Sequence, residues 1–193
     1  RRSVELMGYA ALYRPAGLRM AYGKPLEQAL SRGNWVEAAG DDFDDFIPQH
    51  RLGAWRQAVG SKALRRLSAF QQQTAEQAKA RVAQLRACGL EVLDDIAADS
   101  QGVWPVILLR LPSQKARDAA LQAHWGDGSG LSLPFVHVLP DYGCYDHVLD
   151  AARRDDVSRA RDWAQRLLAI SNSPWLDDVR FARVLANIQA ATQ

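Results

Sequence analysis

"GVWPVILLRLPSQKARDAALQAHWGDGSGLSLPFVHVLP", residues 102–140, restricts most strongly what this chain can fold into. It opens with a near-continuous apolar run of strand length, which implies a strand covered on both faces. Pro105 has no backbone N–H to give to a ladder, so it marks a strand start or a sheet edge. Ser113 stands where a hydroxyl can cap a helix, and Ala116, Ala119, Ala120 and Ala123 follow it. Gly126-Asp127-Gly128-Ser129-Gly130 then turns the chain into a second apolar segment. Strand, helix and strand on short links predict an α+β layer with helices packed on a small sheet. The glycines of that loop suggest a phosphate cradle, but such a loop leads into a helix whose N–H groups meet the anion. A strand-like segment follows here, so the stretch reads as a turn.

The flanks supply the helices. Trp55, Val59, Ala63, Leu67, Phe70, Ala78, Val82 and Leu85 recur at helical spacing, so the stretch from Gly53 to Cys88 lays one face on something apolar. Gly60-Ser61 is the expected break, with Ser61 capping a second helix. Arg65, Arg66, Gln72, Glu76, Lys79 and Arg86 fall on the solvated side, and Gly89 supplies a left-handed stop. "LEVL", residues 90–93, is a further strand candidate. Toward the C-terminus, Val157, Ala160, Trp163, Leu167 and Ile170 follow helical steps. "SNSP" ends that pattern, and Asp177 can cap a last helix carrying Phe181, Val184, Leu185 and Ile188. Near the N-terminus a helix is expected to about Tyr13, then a segment broken at Pro15 and Pro25. An irregular connector follows through Gly33, Gly40 and an acidic run at residues 41–45 to Pro48. The sheet should hold about three to four antiparallel strands, with residues 1–47 as helix and connector and 48–193 as the main body.

Charge excludes some roles. With 24 Lys and Arg against 22 Asp and Glu the formal charge is +2, so no overall field draws the chain to nucleic acid or anionic lipid. Six tryptophans are dispersed rather than interleaved with a basic stripe, and Trp55 and Trp163 sit where large aromatics usually form core. No apolar run is long enough to span a bilayer. Neither nucleic acid nor membrane is therefore an expected partner. Cys88 and Cys144 lie far apart without a C-x-x-C unit, which favours a reduced, cytoplasmic protein. The beginning, Arg1-Arg2-Ser3-Val4-Glu5, carries neither an initiating Met nor a signal-like stretch, so the chain reads as entered midway.

Chemistry-bearing residues are few. The acidic run lacks the Asp-x-Asp-x-Asp-Gly pattern of a calcium loop and reads as solvated surface. "HVLPDYGCYDHVLD" brings together His137, Asp141, Tyr142, Cys144, Tyr145, Asp146 and His147. His137, Cys144 and His147 are ligand types that zinc accepts, and Cys144 with a histidine could form a thiol nucleophile. The spacing matches no common zinc module or local thiol signature, so a structural or ligand-lining role is expected and no metal. Gln49-His50-Arg51, directly after Pro48, is either an ordinary charged helix lead-in or a loop aimed at a ligand.

The order of these pieces resembles a known family. "FIPQHRLGAWRQAVGSKALRRL" is similar to the segment of DegT/DnrJ/EryC1/StrS sugar aminotransferases in which a loop Arg precedes a helix. "QQQTAEQAKARVAQLRACGLEVL" resembles the long helix that follows there, and residues 102–145 resemble its strand–helix–strand. "ARDWAQRLLAISNSPWLDDVRFARVLANI" resembles the closing helix, short strand and last helix. The resemblance covers residues 43–190 and is to the C-terminal small domain of these pyridoxal-phosphate enzymes. It implies a homodimeric parent that transfers an amino group to a keto-sugar nucleotide in polysaccharide synthesis. Gln49 and Arg51 would then face the cofactor phosphate, and His50 and His137 would line the substrate. Gln49 stands where relatives often carry Asn. None of Lys24, Lys62, Lys79 and Lys115 has the Ser-containing context of the family's Schiff-base Lys. The chain alone is therefore expected to hold no pyridoxal phosphate, to contain no catalytic residue and to be inactive. The alternative is a non-catalytic α+β binding or dimerisation module, a degenerate relative. If the chain is such a fragment, the surface that would face the cofactor domain should be unusually apolar.

Overall fold

The structure is a computed structural model that describes residues 7–8, 14–34, 53–94, 102–124, 126–142, 145 and 157–193. A helical turn at Pro15–Leu18 and a π-helical turn at Arg19–Gly23 lead into α1 (Lys24–Ser31). Then come α2 (Ala54–Leu64), α3 (Leu67–Ala87), β1 (Glu91–Leu93), β2 (Val106–Arg110) and α4 (Gln114–Gln122). The chain closes with β3 (Leu131–Ser132), α5 (Ser158–Arg166), β4 (Leu167–Ser171) and α6 (Asp178–Thr192). The four strands form one antiparallel sheet in the order β1-β2-β4-β3, which bears out the expected α+β class. Because β4 lies between β2 and β3, the strand–helix–strand of residues 106–132 is split by the last strand of the chain.

Register decides where the core sits. Leu109 pairs with Val92 on one side and Leu168 on the other, while Ile170 faces Ile107 and Leu131. Paired residues point to the same face, so these six side chains form one apolar surface. Val82 and Leu85 of α3, Ala120 and Leu121 of α4, and Phe181, Val184 and Ile188 of α6 join them in one buried cluster. Burying each large side chain contributes about 1.5–3 kcal/mol. The second face is half open. On it Val106 is partly exposed, and Arg110 pairs with Glu91 across the β1–β2 ladder (2.7 Å) while lying 5.0 Å from the Trp163 ring.

Several local expectations hold in detail. The Ser113 hydroxyl accepts from the Ala116 N–H at 3.1 Å, and the Asp177 carboxylate accepts from the Arg180 N–H at 2.8 Å. Pro105 directly precedes β2, and residues 126–130 form the expected turn.

Others are corrected. The stretch at 167–171 is a strand, not the continuation of α5: Leu-Leu-Ala-Ile is buried on both faces at the centre of the sheet. A short apolar run satisfies helical and strand spacing alike, so periodicity could not separate them. Residues 102–111 are covered fully on one face only, because α3, α4 and α6 all pack on the Ile107–Leu109 side. The helix of α2 runs through Gly60-Ser61 and breaks instead at Arg65-Arg66. Pro25 does not break the segment, which is helical from Pro15 to Ser31 with Pro25 in the first turn of α1; the expected helix end near Tyr13 lies outside the described residues. Trp55 and Trp163 are exposed rather than core.

Candidate functional site

The half-open sheet face ends in a groove. After β3 the chain crosses toward α5 and makes a short helical turn at Leu139–Asp141. The Arg161 guanidinium donates to both oxygens of Asp141, at 2.7 and 3.0 Å, and fixes that turn against α5. Between them lies a space of about 910 Å³ walled by Phe135, His137, Tyr142, Tyr145, Val157 and Trp163, with Leu167 of the sheet at its floor. His137 is exposed at its edge and meets the Tyr142 ring edge-on, 5.4 Å between centroids and 77° between planes. Among the described residues no lysine or carboxylate lines the groove. Its walls can stack against a ring and exclude water, with the His137 imidazole at the rim.

Of the residues singled out from sequence, His137 is thus at a concave aromatic surface. Gln49, His50 and Arg51 lie outside the described residues, as do Cys144, Asp146 and His147. Among the described residues no three His, Cys, Asp or Glu side chains are grouped to hold a metal. Cys88, at the end of α3, is a half-buried free thiol. Lys24, Lys62, Lys79 and Lys115 all stand exposed on helices. A Schiff-base Lys needs a shielded pocket that tunes its amine. The described residues of this chain do not furnish one.

Sequence reading missed several buried polar residues, three of which organise networks. Asn172 is the hub of the largest network: its amide N–H groups donate to the Thr74 and Trp104 carbonyls at 2.8 and 3.0 Å. Its side-chain oxygen accepts from Gln77 (3.0 Å) and Arg81 (3.3 Å), and its backbone N–H donates to Pro105. This network holds Trp104 at a φ of 55°, a conformation costly for a bulky residue. Arg81 also donates to the Leu176 carbonyl and lies 5.0 Å from the Phe181 ring. Burial pushes its guanidinium below the usual arginine value, and Asp178 and Asp177 offset part of that. Spacing could have found Arg81, since it falls between Ala78 and Leu85 on the buried stripe of α3. The third is His124. Asn187 donates to its Nε2, so the ring carries its proton on Nδ1 and gives it to Asp127 (2.8 Å each). Burial would raise the Asp127 carboxyl, but the His124 ring and the Ser129 backbone N–H (2.7 Å) together hold it below its ordinary value. These networks join elements and have no open reacting atom. They are architecture.

Helices stacked on one face of an open antiparallel sheet, with an aromatic groove against the other, define an α+β fold. The chain is similar in structure to a Streptococcus pneumoniae protein described as a sugar aminotransferase and solved in its PMP form. The two superpose with a TM-score of 0.62 over 85% of this chain, at 13% sequence identity, which makes the similarity one of fold. This chain spans 41% of that neighbour's length. No model of a known protein family matches the sequence, and no curated protein matches it. Among the described residues no helix is long and apolar enough to cross a membrane.

Proposed function

We propose that this chain is the C-terminal small domain of a pyridoxal-phosphate-dependent aminotransferase of the DegT/DnrJ/EryC1/StrS type. The parent transfers an amino group to a keto-sugar nucleotide for polysaccharide synthesis, in the cytoplasm and as a homodimer. The observation that carries this reading is the fold shared over 85% of the chain with a protein described as a sugar aminotransferase. The lysines of this chain stand exposed, so the Schiff base belongs to polypeptide outside it. Pyridoxal phosphate supplies the electron sink for amino transfer when bound there. Arg51 and Gln49 face its phosphate, Arg51 as a charged fork and Gln49 as an amide donor. His50 and His137 line the sugar nucleotide, with the aromatic wall of the groove beside His137.

The test uses the complete gene product. It should carry a visible Schiff-base chromophore that borohydride reduces onto a Lys outside these 193 residues. Arg51→Ala should lower amino transfer to a keto-sugar nucleotide about 10- to 100-fold, the loss of one charge-assisted contact. A complete protein with no chromophore would overturn this reading. It would leave the non-catalytic binding module, which the exposed position of every Lys favours.

A further inference from the structure

The described walls of the aromatic groove are apolar, and the polar side-chain groups on them are the His137 imidazole, the Trp163 indole N–H and two tyrosine hydroxyls. Such a lining sorts the parts of a sugar nucleotide. The sugar carries several hydroxyl groups, each costly to bury without a partner. The diphosphate calls for cations or a cluster of N–H donors. A base is a flat ring with apolar faces and polar atoms along its edge, which suits an aromatic wall with few donors. The volume of about 910 Å³ falls in the usual range for a small-molecule site, about 300–1,000 Å³.

One wall residue is held from outside the groove. Trp163 stands one helical turn before Leu167, the floor residue, where α5 passes into β4. Leu167 pairs with Arg110 of β2, and Arg110 pairs with Glu91 of β1. The three therefore lie in a row on the sheet face that carries the groove. The Glu91 carboxylate meets both Nε and one Nη of Arg110, at 2.7 Å each, and this fork fixes the guanidinium. That cation lies 5.0 Å from the centre of the Trp163 ring, within reach of a cation–π attraction. Arg110 itself does not line the groove. Trp163 keeps 40% of its surface exposed, which leaves ring area for a ligand.

We propose that the base of the sugar nucleotide stacks on Trp163, and that Arg110 and Glu91 are positioning residues that hold its ring. This rests on the amino-transfer reading and adds to it the part of the substrate that this chain takes. A ring already held by the sheet loses little freedom when a base meets it. An ion pair across β1 and β2 thereby contributes to affinity in the groove.

Isothermal titration of the complete gene product tests this, with UDP and GDP as pyrimidine and purine probes and pyrophosphate as the control without a base. At least one nucleotide should bind more tightly than pyrophosphate. Trp163→Ala should weaken that nucleotide about 10- to 100-fold, the loss of one base–aromatic stack, and leave pyrophosphate unchanged. Trp163→Phe keeps a ring and should stay within about threefold of the parent. Trp163→Leu, apolar but without a ring, repeats the loss should the alanine variant fold poorly. Arg110→Met should weaken the nucleotide about 2- to 10-fold, as freeing one side chain does, and Glu91→Gln should act in the same direction. Neither should add to Trp163→Ala, because both act through that ring. Nucleotide affinity indifferent to Trp163, an equal loss for pyrophosphate, or no nucleotide bound more tightly than pyrophosphate would overturn the proposal. Additive losses from Arg110→Met and Trp163→Ala would remove the positioning role. A Trp163-dependent nucleotide site in a protein without a borohydride-trappable pyridoxal lysine would sink the amino-transfer reading and leave the stacking site standing. A trapped pyridoxal lysine with nucleotide binding indifferent to Trp163 would sink the stacking site alone.

Discussion

Asn172 shows how much one side chain can hold together. It links α3 through Thr74, Gln77 and Arg81 to the strand lead-in at Trp104 and Pro105, all from a buried position. Asn172→Ala would leave two carbonyls and two donors without this partner around a buried position. It should destabilise the protein by about 3 kcal/mol, since each buried group left unpaired costs about 1–3 kcal/mol. Urea denaturation of the two proteins measures this, and a loss well under about 1 kcal/mol would show the network is not tight. Asp127 is a second residue-scale case. Its carboxyl ionises below the ordinary range in the folded protein, so ionisation favours folding. That contribution is complete above the unfolded carboxylate value of about 4 and is lost as pH falls through the lower folded value. Asp127→Asn should therefore weaken the protein at neutral pH and flatten its loss of stability in acid. Thermal melts between neutral pH and about pH 3 report it. Parallel curves for the two proteins would contradict it.

At the scale of elements, the turn before β3 is set by a close approach. Gly130 has a φ of +80°, and a methyl group there would come within 2.6 Å of the Ser171 side chain on β4. Gly130→Ala should cost about 2–3 kcal/mol, part backbone and part collision. Adding Ser171→Gly should recover the collision part and leave about 1 kcal/mol of left-handed strain. A double-mutant cycle separates the two, and additive losses would show that the turn and β4 do not press on each other. Helix ends are more local. Ser113→Ala and Asp177→Ala each remove a capping acceptor and should cost about 1 kcal/mol, read from the denaturation midpoint. Those caps were legible from residue type and position, because a cap is an interaction within one turn of chain. β4 was not. Leu167 and Ile170 fit the helical spacing of the residues before them, and only pairing with Arg110 and Ile107 of β2 makes them a strand. The family resemblance did place a short strand there, since an order of elements holds long-range information that periodicity lacks.

For the molecule as a whole, the single buried cluster sets the behaviour. Phe181 is fully buried where α6 meets the sheet, and Phe181→Ala should cost about 3–5 kcal/mol. The far end of α3 behaves differently. Leu67→Ser and Phe70→Ser should change the stability of these 193 residues by less than about 1 kcal/mol, because both side chains already face solvent. A large loss in both would mean that the stripe packs on this chain after all.

Sequence alone determined what depends on near neighbours: the α+β class, the capped starts of α4 and α6, the turn at 126–130 and the stripe of α3. These follow from spacing, caps and backbone freedom, each acting within a few residues. Tertiary structure alone decided which apolar residues became core. Trp55, Trp163, Leu67 and Phe70 have the pattern of buried side chains yet stand exposed, while Arg81, His124 and Asn172 have polar side chains yet lie inside. Periodicity tells which side of a helix is apolar, but burial requires a partner at the right distance, and that partner is fixed by contacts between residues far apart in the chain.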